Sequence, residues 1–313
     1  MTCYQLMQKG AAVLHESNQE SNERNPFNIQ SSPSLSAVGG QLGYGLNSLE
    51  ISQEIKILLS WSMNKSIAWL MAYAHEIDVE SSAEKKFMAA VVRRSNHEPI
   101  AYIIGTTSFY GHEFKVSPAV LIPRPETEFL VEAVISNLKE RNEKREIQLL
   151  EIGTGSGCIT CCIALAIENI HIKTIDISKQ ALLIAKENIR YYGVDKKIEF
   201  EQNDFLSENY SDLCKYDMII TNPPYIPTGH IPLLSPDVSL YEPLVSLDGG
   251  DDGLAFYRKL ARVAKELLKP KGTVAVEIGW DQSSAVPGLF VEQGFQVKLI
   301  KDYSDIVRVV TTI

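Results

Sequence analysis

Asn222-Pro223-Pro224-Tyr225 follows directly on the apolar stretch Met218 to Thr221. Two successive prolines fix the backbone and remove two amide donors, so the chain cannot enter a helix and the carbonyls of Asn222 and Pro223 are held toward a ligand. A planar –NH2 group fits that arrangement. The Asn222 side-chain carbonyl and the Pro223 main-chain carbonyl can take its two hydrogens, which aims the nitrogen lone pair elsewhere and favours the pyramidal geometry needed for attack. Tyr225 can lie against the flat face of such an acceptor. Neither a metal ion nor a covalent nucleophile is needed. An ordinary Asn-Pro turn after a strand is the other reading, and the residues upstream weigh against it.

Glu151-Ile152-Gly153-Thr154-Gly155-Ser156-Gly157 follows a predicted strand and opens a predicted helix, where an open α/β sheet accepts ligands at the carboxyl ends of its strands. The glycines allow close backbone approach. A dinucleotide fingerprint needs Gly153-x-Gly155-x-x-Gly, but position 158 is Cys, and counted from Gly155 the pattern fails at Thr160. The acidic-x-Gly-x-Gly-x-Gly loop instead resembles the first motif of the class I S-adenosylmethionine methyltransferases, whose cofactor would give the acceptor nitrogen a sulfonium-bound methyl group to attack. Tyr225 would then offer ring electron density near the sulfonium. Asp176, nineteen residues past Gly157 (176 − 157), ends the second strand, where a carboxylate can accept from both hydroxyls of a ribose. Its alternative role, starting a helix, can be filled by Ser178. Asn203-Asp204-Phe205 closes the third strand: Asp204 can take a hydrogen bond from an exocyclic amine and Phe205 can wall a purine.

These motifs need a scaffold, and the alternation of short apolar strands with helical stretches from residue 148 onward supplies one. It predicts βαβ units in a doubly wound, mostly parallel α/β sheet with helices on both faces. Residues 296–300 and 306–313 are separated only by a short polar turn and should pair antiparallel. Three domains are expected. Residues 1–96 form a small all-helical domain, with helices near 4–15, 49–62, 66–75 and 82–95, Ser48, Ser66 and Ser81 as N-caps, and a mobile loop at 17–45 rich in Ser, Asn, Gln, Gly and Pro. Residues 97–120 form a β-hairpin connector: 100–110 reads as β, Gly111-His112 as the turn and 113–116 as the returning strand. Residues 121–313 form the larger domain, opened by a helix over 126–140 that Pro125 can lead.

Composition narrows the partners. A net charge of −9 and a pI near 5.3 give no positive field that would draw the chain onto nucleic acid, so no direct nucleic-acid binding is expected. No apolar run reaches the roughly 17 to 25 residues of a membrane span and the N-terminus lacks a signal-peptide layout, so the chain reads as cytoplasmic, away from membranes. Five cysteines, an odd number in a chain this long, suit a reducing compartment. Cys158 and Cys161 spell C-x-x-C, yet no second pair completes a zinc site, and 158, 161 and 162 share one helical face; they read as small core residues.

The tetrapeptide alone does not choose among nitrogen acceptors. The stretches around it do: His97-Glu98-Pro99 through Gly105, Leu121-Ile122-Pro123-Arg124-Pro125-Glu126-Thr127-Glu128, Tyr241-Glu242-Pro243, Asp248 to Gly253 and Glu277-Ile278-Gly279 resemble the release-factor glutamine methyltransferases, the PrmC/HemK family. The resemblance runs from about Ile51 to the C-terminus. It implies a seven-stranded class I sheet with its last strand antiparallel, and methylation of the glutamine amide in the Gly-Gly-Gln motif of peptide chain release factors, with the N-terminal helical domain helping to dock that partner. It places the cofactor on Gly153, Thr154, Gly155, Ser156, Gly157, Asp176, Asp204, Phe205 and Asn222, and the substrate on Asn222 to Tyr225. Arg124 and Glu126 either hold substrate backbone or simply begin a helix. The 17–45 loop departs from the family and contains Gly39-Gly40-Gln41, read as a coincidence of composition. Two alternatives remain at this point: an adenine-N6 methyltransferase acting on a flipped base, and a cofactor-binding module without catalysis.

Overall fold

Apolar residues three and four apart build the first helices. The computed structural model describes residues 1–23, 47–141, 145–208, 212 and 214–313. They divide into two units, Met1–Gly105 with Leu234–Tyr241, and Thr106–Leu233 with Glu242–Ile313. The first unit contains α1 (Cys3–Glu23), α2 (Ser48–Met63), α3 (Ile67–Tyr73), α4 (Ser81–Ser95) and α5 (Ile100–Ile104). Leu6, Ile51, Ile55, Leu58 and Phe87 form its buried centre. Gly10 lets α1 lie against α2 and α4, because a Cβ there would stand 2.6 Å from Phe87 Cζ and 2.9 Å from Ile55 Cδ1. Arg94 clamps Glu54 through Nε and Nη2 at 2.8 and 2.9 Å, tying α4 to α2.

Several local expectations change here. Helix α1 runs on to Glu23, so 17–23 are helical rather than loop, and the Ser17 hydroxyl donates to the Ser95 carbonyl at 2.6 Å. The remainder of the expected loop, with Gly39-Gly40-Gln41, lies outside the described residues. The cap of α2 is Asn47, not Ser48: its side chain accepts from the Leu49 and Glu50 amides, and Glu50 reaches back to the Asn47 amide at 2.8 Å, a complete capping box. Ser66 caps α3, whereas α4 starts after Glu80 without a side-chain cap. Residues 100–104 are helical although rich in β-branched side chains. Pro99 leads the turn, Gly105 ends it at φ +89°, and Tyr102 and Ile103 are buried, so caps and burial outweigh propensity.

The second unit begins with a hairpin, β1 (Thr106–Phe109) and β2 (His112–Lys115), whose register sets Phe109 opposite His112. Its turn is Tyr110-Gly111, one residue earlier than expected, with φ of +50° and +74°. Those values are what a two-residue turn matching strand twist requires, and Glu128 steadies the unusual tyrosine by accepting its amide at 2.7 Å. There follow α6 (Thr127–Arg141), β3 (Ile147–Ile152), α7 (Cys158–Ala166), β4 (Ile170–Asp176), α8 (Lys179–Tyr191), β5 (Ile198–Gln202), β6 (Tyr216–Thr221), α9 (Ala255–Leu267), β7 (Leu268–Glu277), α10 (Ala285–Glu292), β8 (Val297–Lys301) and β9 (Val307–Thr312). Among the described residues, seven strands make one sheet in the order β5-β4-β3-β6-β7-β9-β8. The first five run parallel; β9 pairs antiparallel with β7 and β8.

Period-two alternation sorts each strand between two cores: Ile147 and Leu149 face α6 and α7, while Leu150 and Ile152 face α9 and α10. Cys158, Cys161 and Cys162 are free, buried on the first of these faces, and burial holds their thiols well above the usual range. At the amino end of β6, the buried Asp217 gathers two bonds from Arg145 (2.9 and 2.5 Å), one from Lys269 (2.9 Å) and one from the Gln148 amide (2.8 Å). The order reverses between β3 and β6, which opens a crevice at their carboxyl ends. No helix among the described residues is long and apolar enough to cross a membrane.

Candidate active site

The loop after β3 must turn sharply, and it does so on glycines: Gly153, Gly155 and Gly157 have φ of +86°, +53° and +78°. Beyond backbone angle, the three differ in the space around them. A Cβ at Gly157 would stand 3.0 Å from Ala185 Cβ, so its absence lets the loop settle on α8, whereas a Cβ at Gly155 would meet nothing within 4 Å and would project into free space. Beneath the loop the Glu151 carboxyl is wholly buried. It accepts from the hydroxyls of Thr160 and Thr174, the latter at 2.5 Å, and the Thr174 and Thr154 hydroxyl oxygens are hydrogen-bonded to each other at 2.7 Å. Burial raises its pKa to about 7 against the pull of the two hydroxyls.

Asp176 ends β4 and turns back on the same loop. Its Oδ2 accepts the Gly155 amide at 2.9 Å and its Oδ1 the Ser178 amide at 2.8 Å, while Ser178 caps α8 by accepting from Ala181. Burial lifts the Asp176 pKa and the two amides partly offset it. Each oxygen keeps a lone pair for a ligand. Gly153, Thr154, Gly155, Ser156, Asp176 and Asn222 line one cleft with Val120, Leu121, Pro123, Arg124, Thr127, Pro243 and Ser246, which holds about 670 Å³ of free space, open solvent included.

Asn222 enters this cleft from the end of β6. Its amide Nδ2 donates to Thr127 Oγ1 at 3.1 Å, and the Thr127 hydroxyl lies beside the buried Glu277 carboxyl at the end of β7, whose charged form it favours. Arg124 lines the cleft too, with Nη2 on the buried Glu242 at 2.6 Å, so its charge is matched from within the same wall. The other sequence-expected residues stand outside this lining, Gly157 and Pro223 directly next to members of it. Gly157, Pro223, Pro224, Tyr225 and Glu126 are not among the cleft-lining residues. Phe205 is buried in the second core, its ring 4.9 Å from Phe256, and Asp204 is exposed and closes a turn by accepting the Leu206 amide at 2.9 Å.

Residue type alone does not single out what holds the tetrapeptide. Past Tyr225 the chain is bound to residues 247–250: the Ile226 amide donates to the Leu247 carbonyl at 3.0 Å, the Gly249 amide to the Ile226 carbonyl at 2.8 Å and the Thr228 amide to the Gly250 carbonyl at 3.0 Å. Gln282 Nε2 bridges the carbonyls of Tyr225 and Gly253 at 3.1 Å each, and its Oε1 accepts the Gly279 amide at 3.0 Å. Two glycines make the approach possible. A Cβ at Gly249 would stand 2.9 Å from the Pro224 carbonyl oxygen, and one at Gly253 2.3 Å from that of Tyr225. Asp248 to Gly253 and Gly279, legible only as part of a family pattern, thus form the bed under Pro224 and Tyr225.

Comparison with known proteins agrees with this architecture. Residues 126–231 match the methyltransferase small domain family and residues 48–105 the PrmC N-terminal domain family. The release factor glutamine methyltransferase of Clostridium acetobutylicum is 35% identical over 262 residues, covering 83% of this chain and 90% of that one. The bifunctional methyltransferase of Rickettsia felis is 35% identical over 290 residues, and this chain spans 54% of its length. Among solved structures, the hMettl16 catalytic domain in complex with MAT2A 3′UTR hairpin 6 superposes with a TM-score of 0.51 at 14% identity, over 76% of this chain and 83% of that one, a likeness of fold. With that identity sustained along nine-tenths of a relative, and with the glycine loop and Asn-Pro-Pro-Tyr on the strands where a class I sheet puts them, the chain belongs to the release-factor glutamine methyltransferase (PrmC/HemK) family.

Proposed function

We propose that this enzyme methylates the side-chain amide nitrogen of the glutamine in the Gly-Gly-Gln motif of peptide chain release factors, with S-adenosylmethionine as donor. The observation that carries the reading is Asn222, anchored by Thr127 at 3.1 Å on the wall of the cleft that Asp176 and the glycine loop also line. The cleft suits the cofactor. Gly155 leaves its own side of the loop clear, and Asp176 has lone pairs left for a ribose. Gly153, Thr154, Gly155, Ser156 and Gly157 would hold the amino-acid end and Asp176 the ribose; a role for Asp204 and Phe205 at the adenine requires that ring to extend past the cleft lining to the end of β5. When bound, the cofactor supplies a sulfonium-activated methyl group.

The chain's own residues do the rest by orientation. Asn222 Oδ1 and the Pro223 carbonyl take the two amide hydrogens of the substrate glutamine, which draws its nitrogen out of conjugation and points the lone pair along one line. Pro224 keeps the backbone from relaxing, and Tyr225 walls the acceptor. Arg124 and Glu126 contact substrate backbone at the cleft mouth. Incubation with labelled cofactor tests this on three acceptors: a release factor, the same factor with the motif glutamine replaced, and DNA. Label confined to the intact factor is expected. Label that survives the replacement, or that goes only to DNA, overturns the reading.

A further inference from the structure

The two ends of the Asn222 side chain are not equivalent toward an acceptor amide. Asn222 carries an oxygen and an –NH2 on one planar group, and only the oxygen can accept a hydrogen from a substrate amide. Its –NH2 lies 3.1 Å from Thr127 Oγ1. A threonine hydroxyl has one proton, and the carboxyl beside it is that of Glu277, which is 3% exposed and whose Oε2 has no hydrogen-bond partner among the described residues. An ionised carboxylate only accepts, so a Thr127 proton directed at this buried carboxylate leaves the Thr127 oxygen able only to receive. We propose that Thr127 and Glu277 are positioning residues of the transfer reaction: Glu277 fixes the sense of the Thr127 hydroxyl, Thr127 accepts from Asn222 Nδ2, and the Asn222 carbonyl is thereby kept toward the substrate nitrogen. The proposal rests on the methyl-transfer role given to Asn222 above.

The relay is sensitive to protons. A protonated Glu277 can donate to Thr127, which frees the threonine proton to bond the Asn222 oxygen and lets the amide turn over. The groups facing Glu277 are Glu126 and Arg124 ahead of α6, Arg308 on β9, Tyr225 after β6 and Tyr257 on α9. Burial is the largest influence, ahead of the Thr127 hydroxyl and Glu126, and it brings the Glu277 pKa up to about 7. The carboxylate form therefore prevails only on the alkaline side of that value.

Four proteins test this: wild type, Thr127→Val, Thr127→Ser and Glu277→Gln, each assayed for kcat, acceptor KM and cofactor affinity, with thermal melting to confirm folding. Thr127→Val is expected to lower kcat about tenfold, the worth of one oriented hydrogen bond, with acceptor KM and cofactor affinity within about twofold. Thr127→Ser, which keeps the hydroxyl, restores most of it. Wild-type kcat rises as pH increases through about 7, whereas Glu277→Gln is slow and lacks that limb, because its amide donates to Thr127 at every pH. Should Thr127→Val fail to fold, the pH profiles of wild type and Glu277→Gln decide. Wild-type kcat in Thr127→Val, no recovery in Thr127→Ser, or an unchanged acid limb in Glu277→Gln overturns the relay alone, provided wild type labels the release factor. Wild type that labels no acceptor overturns the methyl-transfer reading and the relay with it.

Discussion

Gly253→Ala isolates the bed under Tyr225 from the rest of the site. A Cβ at this position would stand 2.3 Å from the Tyr225 carbonyl oxygen and 3.0 Å from Gln282 Nε2. Ordinary contact begins at roughly 3.5 Å, so about 1 Å of movement is forced. Gln282 holds the Tyr225 carbonyl at 3.1 Å, and two prolines stiffen the chain before it, so the displacement passes into the tetrapeptide. Reacting groups misplaced by about 1 Å cost on the order of a hundredfold in rate, and kcat should fall by that much. The glycine loop and Asp176 do not touch Gly253, so cofactor affinity should stay within about twofold. Stability should drop as well: alanine at φ +74° costs roughly 1–2 kcal/mol, and overpacking adds roughly 1–3 more. Gly193→Ala is the control for strain without contact, having φ +69° and nothing within 4 Å of a Cβ; it should lose only the roughly 1–2 kcal/mol and keep its kcat. Label transfer, calorimetric cofactor binding and denaturant unfolding of the two variants give the answer. Gly253→Ala with wild-type kcat would refute the claim that residues 249–253 set the tetrapeptide's position.

Two further outcomes follow from buried carboxyls. Asp217 is held down to about 2 by Arg145, the Gln148 amide and Lys269 against the opposing effect of burial, so its contribution is present above the unfolded value near 3.8 and disappears as pH falls through about 2. Asp217→Asn should cost about 2 kcal/mol at neutral pH in denaturant unfolding and show a shallower loss between about pH 4 and 2; equal stabilities at pH 7 would contradict this. Glu151 is shifted the other way, from 4.5 to about 7, so the folded state favours its protonated form and stability tied to it is lost as pH rises across that interval. Glu151→Gln should therefore gain on wild type in unfolding free energy from pH 5 to 8, and a constant difference over that range would count against the assignment.

Where one residue type serves one local purpose, the sequence was readable. Gly153, Gly155 and Gly157 announced a sharp strand-to-helix loop, Pro223-Pro224 an extended exit from β6, and the alternation of elements a wound sheet, because each is dictated by neighbours a few residues away. Ile100–Ile104 reads as strand yet folds as helix for a related reason: β-branched composition is a weak preference, and Pro99, Gly105 and burial override it. The hairpin turn fell one residue off, since nothing in a Tyr-Gly pair declares that its tyrosine will adopt φ +50° with Glu128 in support. The supports of the site lay beyond local reading. Gln282 meets Tyr225 across 57 positions and Asn222 meets Thr127 across 95, and such contacts have no periodicity to betray them. Phe205 and Tyr225 show the converse limit: a motif fixes which strand end a side chain leaves from, but the core decides where its ring rests.

The central claim is that Asn222 presents a glutamine amide to the cofactor's methyl group. Tandem mass spectrometry of a release factor incubated with cofactor and either wild-type enzyme or Asn222→Ala addresses it most directly, with cofactor binding measured alongside. The account predicts one methyl group on the side-chain nitrogen of the Gly-Gly-Gln glutamine with wild type, none with Asn222→Ala, and near-equal cofactor binding by both. Methylation at any other residue, or at that glutamine with undiminished rate by Asn222→Ala, would contradict it.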